Sequence, residues 1–161
     1  MISEKHLFLI KHCYIKLLLI ALLLVIAHGC APKQVRIYQT VDGIRNNVIQ
    51  YAVELLGKPY RSGAKGPDSF DCSGLVYYIY KKANIILPVT TESLLKTGLN
   101  IPQDNILPGD LVFFKIKKNL HSGILINKTD FIHSSNSKGV TVDNINSKYW
   151  QKNLIGFRSV L

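Results

Sequence analysis

The apolar positions past residue 40 change period once, and that change divides the chain into a helical half and a strand half. Ile44, Val48, Ala52 and Leu55 recur every three to four residues. They define one face of a helix that Asp42 can cap and that Gly57 and Pro59 end. The Gly/Pro-rich stretch "YRSGAKGPDSF" is a loop. A second helix is predicted from about Cys72, with Leu75, Val76, Ile79 and Ala83 on its buried face, and a short third from about Thr91 to Thr97, stopped by Gly98. "LPGD", Leu107 to Asp110, is a turn signal, and strands follow it: "LVFFKI" (111–116), "HSGILI" (121–126), "DFIHSS" (130–135), "GVTVDNI" (139–145) and "LIGFRSV" (154–160). Helices first and an antiparallel sheet of five or six strands second make an α+β domain.

The first thirty residues carry a different pattern. A basic segment, "MISEKHLFLIKHCYIK", precedes the uncharged run "LLLIALLLVIA" and then His28, Gly29 and Cys30. The apolar run of 11 residues is well short of the ~20 needed to span a bilayer, so it is expected to be an export signal rather than an anchor. "AHGCAPK" resembles a bacterial lipoprotein box, in which the cysteine is acylated and becomes the mature N-terminus. Gly29 and Cys30 match that pattern, whereas His28 departs from it. Ala31, rather than aspartate, implies sorting to the outer membrane if the organism has two membranes. Each buried acyl methylene contributes ~0.8 kcal/mol, so several chains on Cys30 would hold the protein at the membrane. The expected organisation is a signal over 1–29, an acylated N-terminus and tether over 30–42, and one folded domain over 43–161.

Removal of that leader sharpens the composition. Of three cysteines, Cys13 leaves with the signal and Cys30 is the lipid site, so Cys72 is left without a disulfide partner. Of five histidines only His121 and His133 remain. Losing Lys5, Lys11, Lys16 and Glu4 from 20 basic and 10 acidic residues leaves 17 and 9, a net charge of +8. That surface favours anionic partners such as cell-wall polymers. No nucleic-acid-binding motif accompanies it.

Cys72 stands at the predicted start of a helix, where backbone N–H groups and the dipole favour negative charge. Thiols in such places, beside an imidazole, ionise more easily than free ones. His121 and His133 are twelve residues apart on consecutive strands. If the hairpin is centred near Asn127 and Lys128, they lie roughly opposite each other, ~5 Å apart at Cβ. Three readings fit these residues: a packed core cysteine, a zinc site of Cys72, His121 and His133, and nucleophilic catalysis. The zinc reading lacks the close ligand pairing of structural sites. In the catalytic reading Cys72 attacks an amide carbonyl, His121 carries the proton to the leaving amine, and His133 orients His121.

"FDCSGLVYYIY", "LPGDLVFF", "HSGILI" and "FIHSS", with "YRSG" twelve residues before Cys72, resemble the NlpC family of bacterial cell-wall cysteine peptidases. The resemblance covers about residues 43 to 161. It implies a reduced papain-like fold, with the nucleophile helix packed on an antiparallel sheet and no cofactor. It also implies Cys72 as nucleophile, His121 as base and His133 as the third member. Tyr60 is implied near the oxyanion and substrate, with Asp71 and Ser73 holding a free amino end of a stem peptide. The chain departs from the family pattern at Ala64, where a second glycine is common, and at Ser122, where a bulky aliphatic is common. The implied function is peptidoglycan hydrolysis, either at D-alanyl-diaminopimelate cross-links, the reading placed first, or at γ-D-glutamyl-diaminopimelate bonds within a stem. A non-catalytic wall-binding lipoprotein is the alternative of another class. The expected partners are peptidoglycan and, through Cys30, a membrane; the expected state is a monomer at the periplasmic face of the outer membrane.

Overall fold

The computed structural model describes Lys16 and residues 41–161. The export signal and acylation at Cys30 lie outside the described residues. Helix α1 spans Val41–Val53 and buries Arg45, Val48 and Ala52, with Leu55 continuing the same face in the turn that follows. Asp42 falls inside its first turn rather than before it. Helix α2 is Cys72–Lys82. Asp71 caps it in an extended conformation, its carboxylate accepting the Gly74 N–H, which satisfies a donor that no helical carbonyl can reach. Leu75, Val76, Ile79 and Tyr80 are its buried face. Gly74 has to be glycine, because a Cβ there would collide with the carbonyl oxygen of Ala64 in the preceding loop.

The predicted third helix is shorter than expected. Helix α3 is a single turn, Thr91–Leu94, capped by the Thr90 hydroxyl on Ser93 N–H. Residues 95 to 97 form only a turn. Three elements were not predicted from the pattern: strand β1, Leu99–Ile101, a 3-10 turn at Gln103–Asn105, and helix α4, Lys148–Asn153. The remaining strands are β2 (Leu111–Ile116), β3 (Asn119–Leu125), β4 (Asp130–Ser135), β5 (Gly139–Asn144) and β6 (Leu154–Ser159). They form one antiparallel six-stranded sheet in the order β1-β6-β2-β3-β4-β5.

The sheet is buried on both faces. Leu111, Phe113, Ile124, Ile132 and Val140 point to the side of α1, α2 and α3. Val112, Phe114, Leu125, Phe131 and Phe157 point the other way, against Trp150 of α4. Two-sided burial is why "LVFF" is a continuous apolar run instead of an alternating one. Among the described residues, no helix is long and apolar enough to cross a membrane.

One polar cluster ties the first helix to the sheet. Arg45 donates from Nη1 to Asp110 Oδ1 (2.9 Å) and to the Pro108 carbonyl (2.7 Å). Asp110 also accepts from Ser159 Oγ and from Leu107 N–H, and the Tyr80 hydroxyl donates to Gly109 O. Both charges are buried, so removing one partner strands the other. Asp110→Ala is expected to cost about 3–5 kcal/mol of unfolding free energy, read as a lower urea midpoint. The double variant Arg45→Met/Asp110→Leu should lose less than Asp110→Ala alone.

Candidate active site

A cavity of about 780 Å³ is lined by Tyr60, Cys72, His121, His133, Asp143 and Trp150, among others. Three local features bring these residues together. The Asp71 cap fixes the start of α2, and with it the Cys72 side chain. Cys72 Sγ lies 3.5 Å from the hydroxyl of Thr91, a buried residue at the start of α3. The histidines come from β3 and β4, on the sheet face that carries Phe114 and Phe131. Trp150 comes from α4 and closes that face.

The histidines meet, though not by direct pairing. The β3–β4 ladder pairs Ile124 with Ile132 and Leu125 with Phe131, which centres the hairpin one residue later than the spacing predicts. Asn127 causes the shift: its Oδ1 accepts the N–H groups of Thr129 (2.8 Å) and Asp130 (2.7 Å) and tightens the turn around itself. Continuing that register puts Gly123, not His121, beside His133. A Cβ at Gly123 would sit 2.6 Å from the Phe131 ring and 3.3 Å from the His133 Cβ. The bare glycine leaves room for the diagonal contact, His121 Nε2 to His133 Nδ1 at 2.9 Å.

The pair is enclosed by aromatic rings. Trp150 stacks on His121 at 26° and 5.6 Å and meets His133 edge-on at 5.0 Å, while Phe131 stacks on His133 at 27°. Beyond the pair, His133 Nε2 lies 3.1 Å from Asp143 Oδ2, and the Trp150 indole N–H donates to the same oxygen at 3.0 Å. Burial, reinforced by His133, pushes the His121 pKa down to about 3. Burial also lowers His133, with Asp143 opposing the shift. Both rings are therefore neutral at pH 7.

Tyr60, Cys72, His121 and His133 thus share one cavity. Asp71 and Ser73 do not line it. Asp71 caps α2 and pairs with Lys65 at 3.1 Å, and the Ser73 hydroxyl bonds to the Val89 carbonyl at 2.9 Å. Their polar atoms hold the helix start to its surrounding loops. Ser122, the departure after the first histidine, is fully buried with an unpartnered hydroxyl and is separate from the cavity lining. Asp143, Trp150 and Thr91 were not singled out from sequence. Among the described residues, no group of three or more His, Cys, Asp or Glu side chains is arranged to hold a metal ion.

Comparison with known proteins identifies the family. Residues 57–159 match the model of the NlpC/P60 family. The chain belongs to the NlpC/P60 family. It is 42% identical over 101 residues to the probable endopeptidase NlpC of Escherichia coli, covering 60% of this chain and 66% of that one. It is 39% identical over 114 residues to the probable endopeptidase p60 of Listeria monocytogenes, of which the match spans only 23%. Two further relatives are named for different bonds. The murein DD-endopeptidase MepH of Escherichia coli is 34% identical over 117 residues (68% of this chain, 43% of MepH). The gamma-DL-glutamyl hydrolase of Bacillus subtilis is 35% identical over 120 residues (70% and 29%). Among solved structures, an NLP/P60 lipoprotein-like protein from Staphylococcus aureus superposes with a TM-score of 0.69 at 32% identity, covering 76% of this chain and 43% of that one.

The neutral histidines carry a consequence for stability. An unfolded histidine takes up a proton near pH 6.5, whereas native His121 resists protonation down to about 3. The unfolded state then binds more protons between those values, and stability falls as the pH is lowered through that window. From pH 7.5 to 5.5, above the carboxylate range, His121 alone should account for a loss of about 1 kcal/mol. Urea unfolding at the two pH values should show this loss in the wild type and a smaller one in His121→Gln.

Proposed function

We propose that this chain is a cysteine-type peptidoglycan endopeptidase with Cys72 as nucleophile, His121 as general base and His133 as the residue that orients it. The observation that carries the reading is the His121–His133 bond at 2.9 Å in the cavity that Cys72 also lines. With its Nε2 engaged by His133, His121 has Nδ1 left for the thiol. The thiol proton passes to that nitrogen as Sγ attacks the peptide carbonyl carbon. The resulting oxyanion is stabilised by N–H groups of the first turn of α2, which lack helical acceptors, and by Tyr60 at the cavity wall. His121 then returns the proton to the departing amine as the C–N bond breaks. A water, activated by the same nitrogen, hydrolyses the thioester.

The favoured bond is the D-alanyl-diaminopimelate cross-link. The likeness to a relative named a murein DD-endopeptidase supports it. The likeness to a gamma-DL-glutamyl hydrolase favours the second reading, a cut within the stem. Neither the substrate-holding role of Asp71 nor that of Ser73 is part of this proposal, since both side chains are engaged in holding α2. Acylation at Cys30 and residence at the periplasmic face of an outer membrane complete the reading. They rest on the export pattern and "AHGCAPK", and labelling with a radioactive fatty acid that Cys30→Ala abolishes would test them.

Incubation of residues 31–161 with defined muropeptide monomers and cross-linked dimers, followed by mass spectrometry, tests the activity and the bond together. Conversion of dimers to monomers is expected, with activity in Cys72→Ala lowered by at least roughly 100-fold. Shortened monomers would replace the cross-link reading by the stem reading. Intact substrates with the folded wild-type protein would overturn both.

A further inference from the structure

We propose that Asp143 is a positioning residue whose carboxylate determines which nitrogen of each histidine carries the proton, so that His121 offers a bare Nδ1 to Cys72. The proposal rests on the peptidase reading above and adds to it a residue on β5.

A carboxylate only accepts hydrogen bonds. At 3.1 Å from Asp143 Oδ2, His133 Nε2 must therefore be the protonated nitrogen. A neutral imidazole has one N–H, so His133 Nδ1 is then a lone pair, and the 2.9 Å contact requires His121 Nε2 to be the donor. The second ring, also neutral, is left with its lone pair on Nδ1. One carboxylate at the far end thus sets the direction of the whole chain of hydrogen bonds. Without it, the reverse chain is open to the same two rings: His133 Nδ1–H donating to His121 Nε2, with a proton on His121 Nδ1. In that state His121 faces the thiol as a donor and cannot take its proton.

The carboxylate is itself held in place. The Trp150 indole N–H donates to Oδ2 at 3.0 Å, and Lys138 Nζ lies 3.9 Å from Oδ1. Phe131 pairs with Asp143 across β4–β5, and Thr141 pairs with His133. Asp143 therefore reaches His133 diagonally on a face whose packing is aromatic. When the thiol proton moves to His121 Nδ1, the charge that appears on that ring is opposed by the Asp143 charge through His133, and it vanishes when the proton leaves with the amine.

The test is nitrogen-15 NMR of the protein labelled at histidine, at pH 7, beside steady-state kinetics on a cross-linked muropeptide. The wild type is expected to show both rings protonated at Nε2. In Asp143→Ala a population with His121 protonated at Nδ1 should appear, kcat should fall roughly tenfold or more, and KM should hold; this is below the ~10⁴-fold loss known where a carboxylate orients the base directly. Asp143→Glu, which keeps a carboxylate that can only accept, should restore the wild-type tautomers and part of kcat. Asp143→Ser, polar but too short to reach His133, gives the same readout as alanine if the alanine variant fails to fold. Unchanged tautomers in Asp143→Ala or Asp143→Ser would overturn the proposal, whatever happens to kcat. Absence of muropeptide cleavage by the wild type would instead overturn the peptidase reading, and the tautomers are measured independently of it.

Discussion

The hydrogen bond between His121 and His133 is the contact around which the candidate site is organised, and it is bonded in a place that punishes charge. Both rings sit among Phe114, Phe131 and Trp150, where a protonated imidazole loses more hydration than the fold returns. A neutral pair is the low-energy state there, and a neutral imidazole is what a base has to be before it acts. The same enclosure restrains the rings: stacking on His121 and His133 removes rotations that would break a 2.9 Å bond. Packing and chemistry share a cause, which is the burial of this sheet face by α4.

The opposite face of the sheet carries the other half of the site. Helix α2 lies on the other side of the sheet, anchored by Leu75, Val76 and Ile79 in the core and by the Asp71 cap at its start. The Arg45–Asp110 pair fixes α1 to the turn that launches β2. The position of Cys72 therefore depends on a helix cap and a core face, and that of the histidines on a hairpin register. Neither depends on a contact between the thiol and the rings themselves, so the cavity between them is formed before any substrate enters. Asp71 contributes by holding the helix end, a role that its place beside Cys72 does not reveal by itself.

Much of this was legible in the sequence, for identifiable reasons. Helices α1 and α2 announce themselves by apolar period, and β2 to β6 by β-branched and aromatic runs between turn residues. That Cys72, His121 and His133 belong together followed from the family resemblance once the leader was set aside. The hairpin register did not, because the Asn127 side chain, rather than the count of residues, decides where the turn closes. Strand β1 has three residues, mostly exposed, and exists only because β6 is there to pair with it. Helix α4 contributes a single buried side chain, Trp150, so it has no periodicity to detect. Asp143 could not be found from spacing, since its partner on β4 is a diagonal neighbour set by two registers at once.

In the proposed mechanism Cys72 forms a covalent bond to the acyl half of the substrate, with the buried histidine pair managing the proton. Rapid quenching of the protein with a cross-linked muropeptide, followed by intact-mass and peptide-level mass spectrometry, measures that step directly. A transient adduct on Cys72 is expected, with a mass equal to the acyl-donor half of the dimer, and it should decay as free product accumulates. Turnover of the dimer at full rate with no adduct on Cys72 at any time, and equally in Cys72→Ala, would contradict that mechanism.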